Sequence, residues 1–318
     1  MALFLSENDV KKLLTVAMAM DGVESAHRDL ALGQATDTPR ARSRLPQTVL
    51  HILQGALPAQ GVIGYKAYTT NRSGNRFLVH LFDAASGKLR AVIEADYLGM
   101  VRTGAVSGLA AKWLARPDSK VAGVFGSGWQ AEGHVRAICA ALPLEQVKVF
   151  SRRADHLQGF CQRLSELTGV AVVPAASAEA AVRDSDLLGT VTTATLPLFD
   201  AAWLAAGTHI NAAGSNALIR QELSEAAVRR CDLVTVDAVP TALAEAGDLL
   251  PLLEKGRLHA RQLVELGDVI VGRHPGRVSA DQITLFESQG MAIQDLAVGW
   301  RVLAAAEAAG LGREIPMQ

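Results

Sequence analysis

The stretch "KVAGVFGSGWQAEGHVRAICAAL", Lys120 to Leu142, constrains the fold of this chain more than any other. A short apolar run ends at Gly126-Ser127-Gly128 and passes straight into a helical pattern. The G-x-G-x-x-A spacing carries weight only in this context, after a strand and opening a helix. Gly126 supplies a tight turn, Gly128 lets a pyrophosphate approach the backbone, and Ala131 keeps helix and strand close. Ser127, Trp129 and Gln130 fall at the helix start, where free N–H groups face an anion. The pattern then repeats. "VKVFSRR", "VAVVPA", "DLLGTVTTA", "THINAAG" and "CDLVTVDA" read as strands, with "ADHLQGFCQRLSELTG" and "SAEAAVRDS" as helices among them. Strands alternating with helices predict a parallel, doubly wound α/β sheet of Rossmann type that binds a dinucleotide.

The second strand of that series ends where a ribose-binding residue belongs, about 20 residues past the glycines. An acid there binds the ribose 2′-hydroxyl and repels a 2′-phosphate. This chain has Ser151, Arg152 and Arg153 instead. Serine removes the repulsion and guanidiniums donate charge-assisted bonds to phosphate oxygens, so the expected cofactor is NADPH, with NADH less preferred. The plainer alternative is a pair of solvated arginines at a helix start, where the dipole disfavours cations. Thr192 and Thr193 in "TVTTA", with Asn211 and Gly214 in "NAAGS", follow later strands. They line the nicotinamide end of the crevice or are ordinary loop residues.

Upstream the grammar differs. "RFLVHLFDAASGKLRAVIEADYLG" (Arg76 to Gly99) reads as two strands around a turn, so this part of the sheet is antiparallel. "RTGAVSGLAAKWLA" (Arg102 to Ala115) is a small-residue helix that "RPDS" ends. The tail from about Asp281 reads as helical, and "AIQDLAVGWRVLAAAEAAG" is too apolar on one face to lie free. The predicted architecture is therefore a dinucleotide-binding domain over 116–294 and a smaller α+β substrate and dimerisation domain over 1–115, completed by about 295–318. A chain of 318 residues, 49% apolar and 20% charged, can fill two such cores.

A net charge of −1 gives no basis for nucleic-acid or anionic-membrane binding. "LLTVAMAM" follows two lysines, yet "SEND" (Ser6 to Asp9) is a helix cap, so the N-terminus reads as an amphipathic helix and not an export signal. No run reaches the ~20 apolar residues of a membrane span. Cys139, Cys161 and Cys231 are far apart, with neither metal-ligand nor disulfide spacing, in keeping with a reducing cytoplasm.

With these residues in hand, the chain resembles the ornithine cyclodeaminase/μ-crystallin family. "RTGAVSGLAAKWLA", "GSGWQAEGH", "NAAGSN…QEL", "EAGDLL", "GDVIVGRHPGR" and "ITLFESQGMAIQDLA" carry the likeness, with weaker support from "PRARSRLP" and "GYK". The resemblance implies a nicotinamide cofactor acting on small amino acids or cyclic imino acids, and a dimer built through the N-terminal sheet. It implies cations holding the substrate carboxylate at Lys66, at Arg102, and at either Arg40 or Arg42. It also places Thr103 and Gly290 beside the cofactor. Asp295 either caps the last helix or meets the site's rim, and His80 is more naturally packed than catalytic. The informative departure is "GSNA": cyclodeaminases of the family resemble "GGD" or "GAD" here, where the acid takes part in the chemistry.

Asn216 stands in that place, and an amide takes no proton at neutral pH. Reducing a preformed cyclic iminium needs no such base. The expected function is NADPH-dependent reduction of Δ1-pyrroline-2-carboxylate or Δ1-piperideine-2-carboxylate to proline or pipecolate. Lys66, Arg102 and one of Arg40/Arg42 would hold the carboxylate, and Asn216 would orient the ring or a water. The alternatives are an amino-acid dehydrogenase or opine-type reductive aminase, an ornithine cyclodeaminase, and a non-enzymatic NADPH-dependent ligand-binding protein. No metal is expected.

Overall fold

The computed structural model describes residues 2–153 and 155–316. Met1, Met317 and Gln318 lie outside the described residues, as does Ala154, which opens the helical stretch expected after "VFSRR". The chain divides into two compact units, Met1–Arg102 with Gly290–Gln318, and Thr103–Gln289. The breaks fall at 102/103 and 289/290, against 115/116 and about 294/295 read from the sequence. Packing explains the first difference. The helix Asp96–Leu114 runs through the break, and a Cβ on its Gly104 would lie 2.1 Å from the Gly133 carbonyl. The part of this helix from Thr103 on is thus bound into the second unit.

The first unit holds a seven-stranded sheet in the order Arg313–Ile315, Ala2–Leu5, Leu89–Glu94, Gly74–Asp83, Val62–Asn71, Thr48–Leu57, Thr36–Arg44. Ala2–Leu5 pairs parallel with Leu89–Glu94, and every other pairing is antiparallel, including the expected hairpin. The helix Ala292–Ala309 lies along one sheet face. Gly55 and Gly64 leave the space that Ile293 and Leu296 fill, and Val298 seats against Gly22 of the helix Val16–Ala31. Ile293, Leu296, Val298 and Val302 are fully buried, each stabilising the unit by about 1.5–3 kcal/mol. The "SEND" cap forms: the Asp9 N–H donates to Ser6 Oγ and the Ser6 N–H to Asp9 Oδ2.

The second unit holds an eight-stranded, wholly parallel sheet. Its order is Leu263–Glu265, Leu233–Val236, Thr284–Glu287, His209–Ala212, Leu187–Thr190, Val121–Phe125, Gln146–Phe150, Ala171–Pro174. This is the doubly wound α/β arrangement, with the order reversing between Val121–Phe125 and Leu187–Thr190, the topological switch point where ligands bind. One expectation is corrected. The segment from Asp281 begins as the strand Thr284–Glu287, slotted between His209–Ala212 and Leu233–Val236, and becomes helical only at Ala292. Four residues fit a buried strand or a helix turn equally well by periodicity, and the flanking sheet edges decide it.

Candidate active site

In the first unit, two cations converge on one carboxylate. Lys66 sits midway along Val62–Asn71, and its Nζ donates to Asp295 Oδ1 at 2.9 Å. Arg102 donates from Nε to the same oxygen at 3.0 Å and from Nη1 to Gln294 Oε1 at 2.8 Å. All three charged side chains are buried. Gly290 makes this possible: its φ is +82°, and a Cβ there would lie 2.8 Å from Arg102 Nη1. Asp295 does not cap the helix. The Met291 N–H at the helix start is taken by Gln294 Oε1, which frees Asp295 for the cations.

The balance is two positive charges against one negative in a nearly dry setting, where an unbalanced charge is costly. Burial lowers the Lys66 pKa to about 8; Asp295 opposes that shift, while Arg102 and Arg40 add to it. Arg40 and Arg42 are both half-buried on the strand Thr36–Arg44, and Arg42 pairs across to His51. Of Arg40 and Arg42, Arg40 alone figures among the charges acting on Lys66. Beside the cations the rings of His51 and Tyr68 stack at 4.2 Å and those of Tyr68 and Phe77 at 4.9 Å, with Lys66 Nζ 5.2 Å from the Phe77 centroid. His80 lies on the opposite sheet face, stacked on Tyr65, and burial lowers its pKa.

In the second unit, the turn after Val121–Phe125 has the form an anion requires. Gly126 adopts φ +113° and donates its N–H to Phe150 O. Gly128 caps the helix Trp129–Ala141, and a Cβ built on it meets nothing within 4 Å. The space over the helix N-terminus is therefore open, while Ala131 beneath is fully buried. Trp129 is exposed and Gln130 half-buried on the same turn. Ser127 Oγ donates to Ser151 Oγ at 3.0 Å, so the glycine turn and the end of the second strand are joined. Arg152 and Arg153 are exposed immediately beyond. These residues fit a dinucleotide, pyrophosphate on the turn and ribose at Ser151.

The later strand ends divide. Thr192 and Thr193 lie on the loop after Leu187–Thr190, and Gly214 and exposed Asn216 on the loop after His209–Ala212. Asn211 is turned inward: its Nδ2 donates to Ser107 O at 3.0 Å and its Oδ1 meets His209 Nε2. Burial pushes the His209 pKa down to about 3, so the ring is neutral there. Asn211 thus fastens the sheet to the helix Asp96–Leu114. Thr103 is half-buried on that helix.

Two buried carboxylates left only weak signals in the sequence. Asp295 gave only the ambiguous signal of an acid in a helix's first turn. Glu222 is fully buried between the two strand-end loops, and its one signal was its place in "QEL". Neither partner set could be read from spacing. Among the described residues no group of histidine, cysteine or acid side chains has a metal-binding arrangement, and no helix is long and apolar enough to cross a membrane.

The model of the ornithine cyclodeaminase/mu-crystallin family matches residues 1–310. A Δ1-pyrroline-2-carboxylate reductase of Bacillus cereus is 32% identical over 98% of this chain and 99% of its own length. The structure of Thermococcus litoralis Δ1-pyrroline-2-carboxylate reductase in complex with NADH and L-proline superposes with a TM-score of 0.94. It is 28% identical, over 98% of this chain and 100% of that one. An archaeal alanine dehydrogenase dimer with bound NAD gives a TM-score of 0.94 at 31% identity, covering 100% and 99%.

Proposed function

Because the chain belongs to the ornithine cyclodeaminase/μ-crystallin family, we propose that it reduces the C=N bond of a cyclic imino acid with a reduced nicotinamide dinucleotide. The substrates put forward are Δ1-pyrroline-2-carboxylate and Δ1-piperideine-2-carboxylate, giving proline and pipecolate. The observation that carries this reading is the pair Lys66 and Arg102 on a single Asp295 oxygen. Such a site has one positive charge in excess, and a substrate carboxylate neutralises it. Arg40 is the third cation in this reading, because its charge reaches Lys66.

The residues of the glycine turn and Ser151 would hold the dinucleotide, which would supply the hydride for the imine carbon. The chain's own residues do the rest. Arg102 and Lys66 fix the carboxylate in orientation, which converts a chance encounter into a held geometry. The Phe77 and Tyr68 rings offer the apolar side of the ring a surface. The iminium arrives already activated, so Asn216 is called on for orientation and not for proton removal. The cofactor proposed is NADPH, supported by Ser151, Arg152 and Arg153 in place of an acid.

The test is a panel of five- and six-membered cyclic imines with NADPH and with NADH, followed by loss of the nicotinamide absorbance. Turnover of a cyclic imine at a rate at least about ten-fold above that with pyruvate plus ammonia is expected. Turnover confined to pyruvate plus ammonia would make the protein an amino-acid dehydrogenase, the reading that likeness to an alanine dehydrogenase favours.

We also propose a homodimer. On the sheet face opposite the helix Ala292–Ala309, Leu50, Ile52, Ile63 and Leu78 share one side and are each 36–46% exposed. An apolar sheet face of this kind marks an interaction surface. Sedimentation velocity at micromolar concentration should give a dimer, and Ile63→Glu should shift it to monomer; a monomeric wild type would refute the proposal. The three cysteines are free, in keeping with a cytoplasmic location.

A further inference from the structure

We propose that Glu222 is the positioning residue of the cofactor crevice, tying the loop after Leu187–Thr190 to the loop after His209–Ala212. This rests on the nicotinamide reading above. The two strands are adjacent and parallel, so their C-terminal loops emerge side by side, next to the switch point. Glu222 Oε1 accepts from the Thr192 N–H and Oε2 accepts from the Gly214 N–H at 2.8 Å. The carboxylate is fully buried, so these bonds have no competition from water.

The fit leaves no slack. A Cβ on Gly214 would lie 2.5 Å from the Glu222 carboxylate, which explains glycine at a position whose φ does not demand it. The backbone carrying Glu222 is held in turn. Asp248 Oδ1 accepts from the N–H groups of Glu222 and Leu223, and the Asp248 N–H donates to Ser215 Oγ. At its other side the Thr192 loop leans on the glycine turn. The Val191 N–H donates to Phe125 O, and a Cβ on Gly126 would lie 2.8 Å from Val191 O. A displacement of the Thr192 loop is therefore passed to the turn that takes the pyrophosphate. Glu222 touches no reacting atom; it sets where the backbone of Thr192 and Gly214 stands.

Glu222→Gln keeps the volume and one acceptor but turns an amide N–H toward one of the two backbone donors. One tie is lost while packing survives. The expected result is a dinucleotide Kd and KM raised about ten-fold or more, from losing a buried bond to a charged group. At saturating cofactor, kcat should stay within about three-fold and the imine KM within about two-fold, because the carboxylate-binding cations belong to the other unit. Gly214→Ala, which pushes the carboxylate aside, should reproduce the same split and serves as the test should Glu222→Gln misfold. A Kd unchanged in the folded variants, or a loss of kcat without change in cofactor KM, would overturn the assignment. If the wild type binds neither NADPH nor NADH, the functional reading fails and takes this one with it.

Discussion

Arg102→Leu is expected to lower kcat/KM for the cyclic imine by about a thousand-fold while leaving dinucleotide affinity within about two-fold. Truncating one partner of a buried, hydrogen-bonded charge pair with a bound group costs about 2–5 kcal/mol of binding, and each 1.36 kcal/mol is a factor of ten in rate. Arg102 is buried, and removing its guanidinium leaves Lys66 against Asp295 with no charge to spare for a substrate. Leucine keeps much of the volume, so loss of fold does not account for the effect. A companion measurement identifies Lys66. Its ammonium form holds the carboxylate, and burial sets its pKa at about 8, so the imine KM should climb as pH rises through that value. Asp295 raises the Lys66 pKa against burial; Asp295→Asn should therefore move the alkaline limb to lower pH. A limb that stays in place would show that another group titrates there, and a small effect of Arg102→Leu would remove the carboxylate-clamp argument.

What was legible in the sequence follows from how local each feature is. The strand, turn and helix around Gly126 are built from neighbours in the chain, and the "SEND" cap is closed within three residues; both appear as read. Lys66 and Arg102 are legible through the family resemblance, Arg102 also as a charge opening a small-residue helix. Their partner is not, because Asp295 lies 229 and 193 residues away, and nothing in spacing joins them. Glu222 is hidden for the same reason, its donors being backbone N–H groups that carry no sequence signature. The motif "GDVIVGRHPGR" belongs to the family likeness for a structural reason that spacing does not reveal: Arg277 spends its guanidinium on Leu114 O, Gln282 O and Thr284 Oγ1, holding the approach to the strand Thr284–Glu287. That same strand is indistinguishable from a helix turn in the sequence because four residues are too few to show a period.

Ser151→Asp combined with Arg152→Gln and Arg153→Gln is expected to shift the NADPH-over-NADH ratio of kcat/KM by about a hundred-fold to a thousand-fold toward NADH. Two effects add. Hydrogen bonds to a charged group are worth about 1.5–3 kcal/mol each, and the exposure of Arg152 and Arg153 places them at the low end. An aspartate at 151 then brings a carboxylate to the place a 2′-phosphate would occupy, while offering an acceptor to a free ribose hydroxyl. The position is well defined, since Ser151 Oγ meets Ser127 Oγ at 3.0 Å and accepts from the Arg153 N–H. Ser151→Asp alone should therefore weaken NADPH more than it strengthens NADH, and the arginine changes alone should weaken NADPH without helping NADH. Raising the salt should erode the wild-type preference, because the arginine contribution is screened and the steric fit is not. A wild type that favours NADH would mean the two guanidiniums are solvated surface charges, and the serine, by its absence of charge, merely tolerates either ribose.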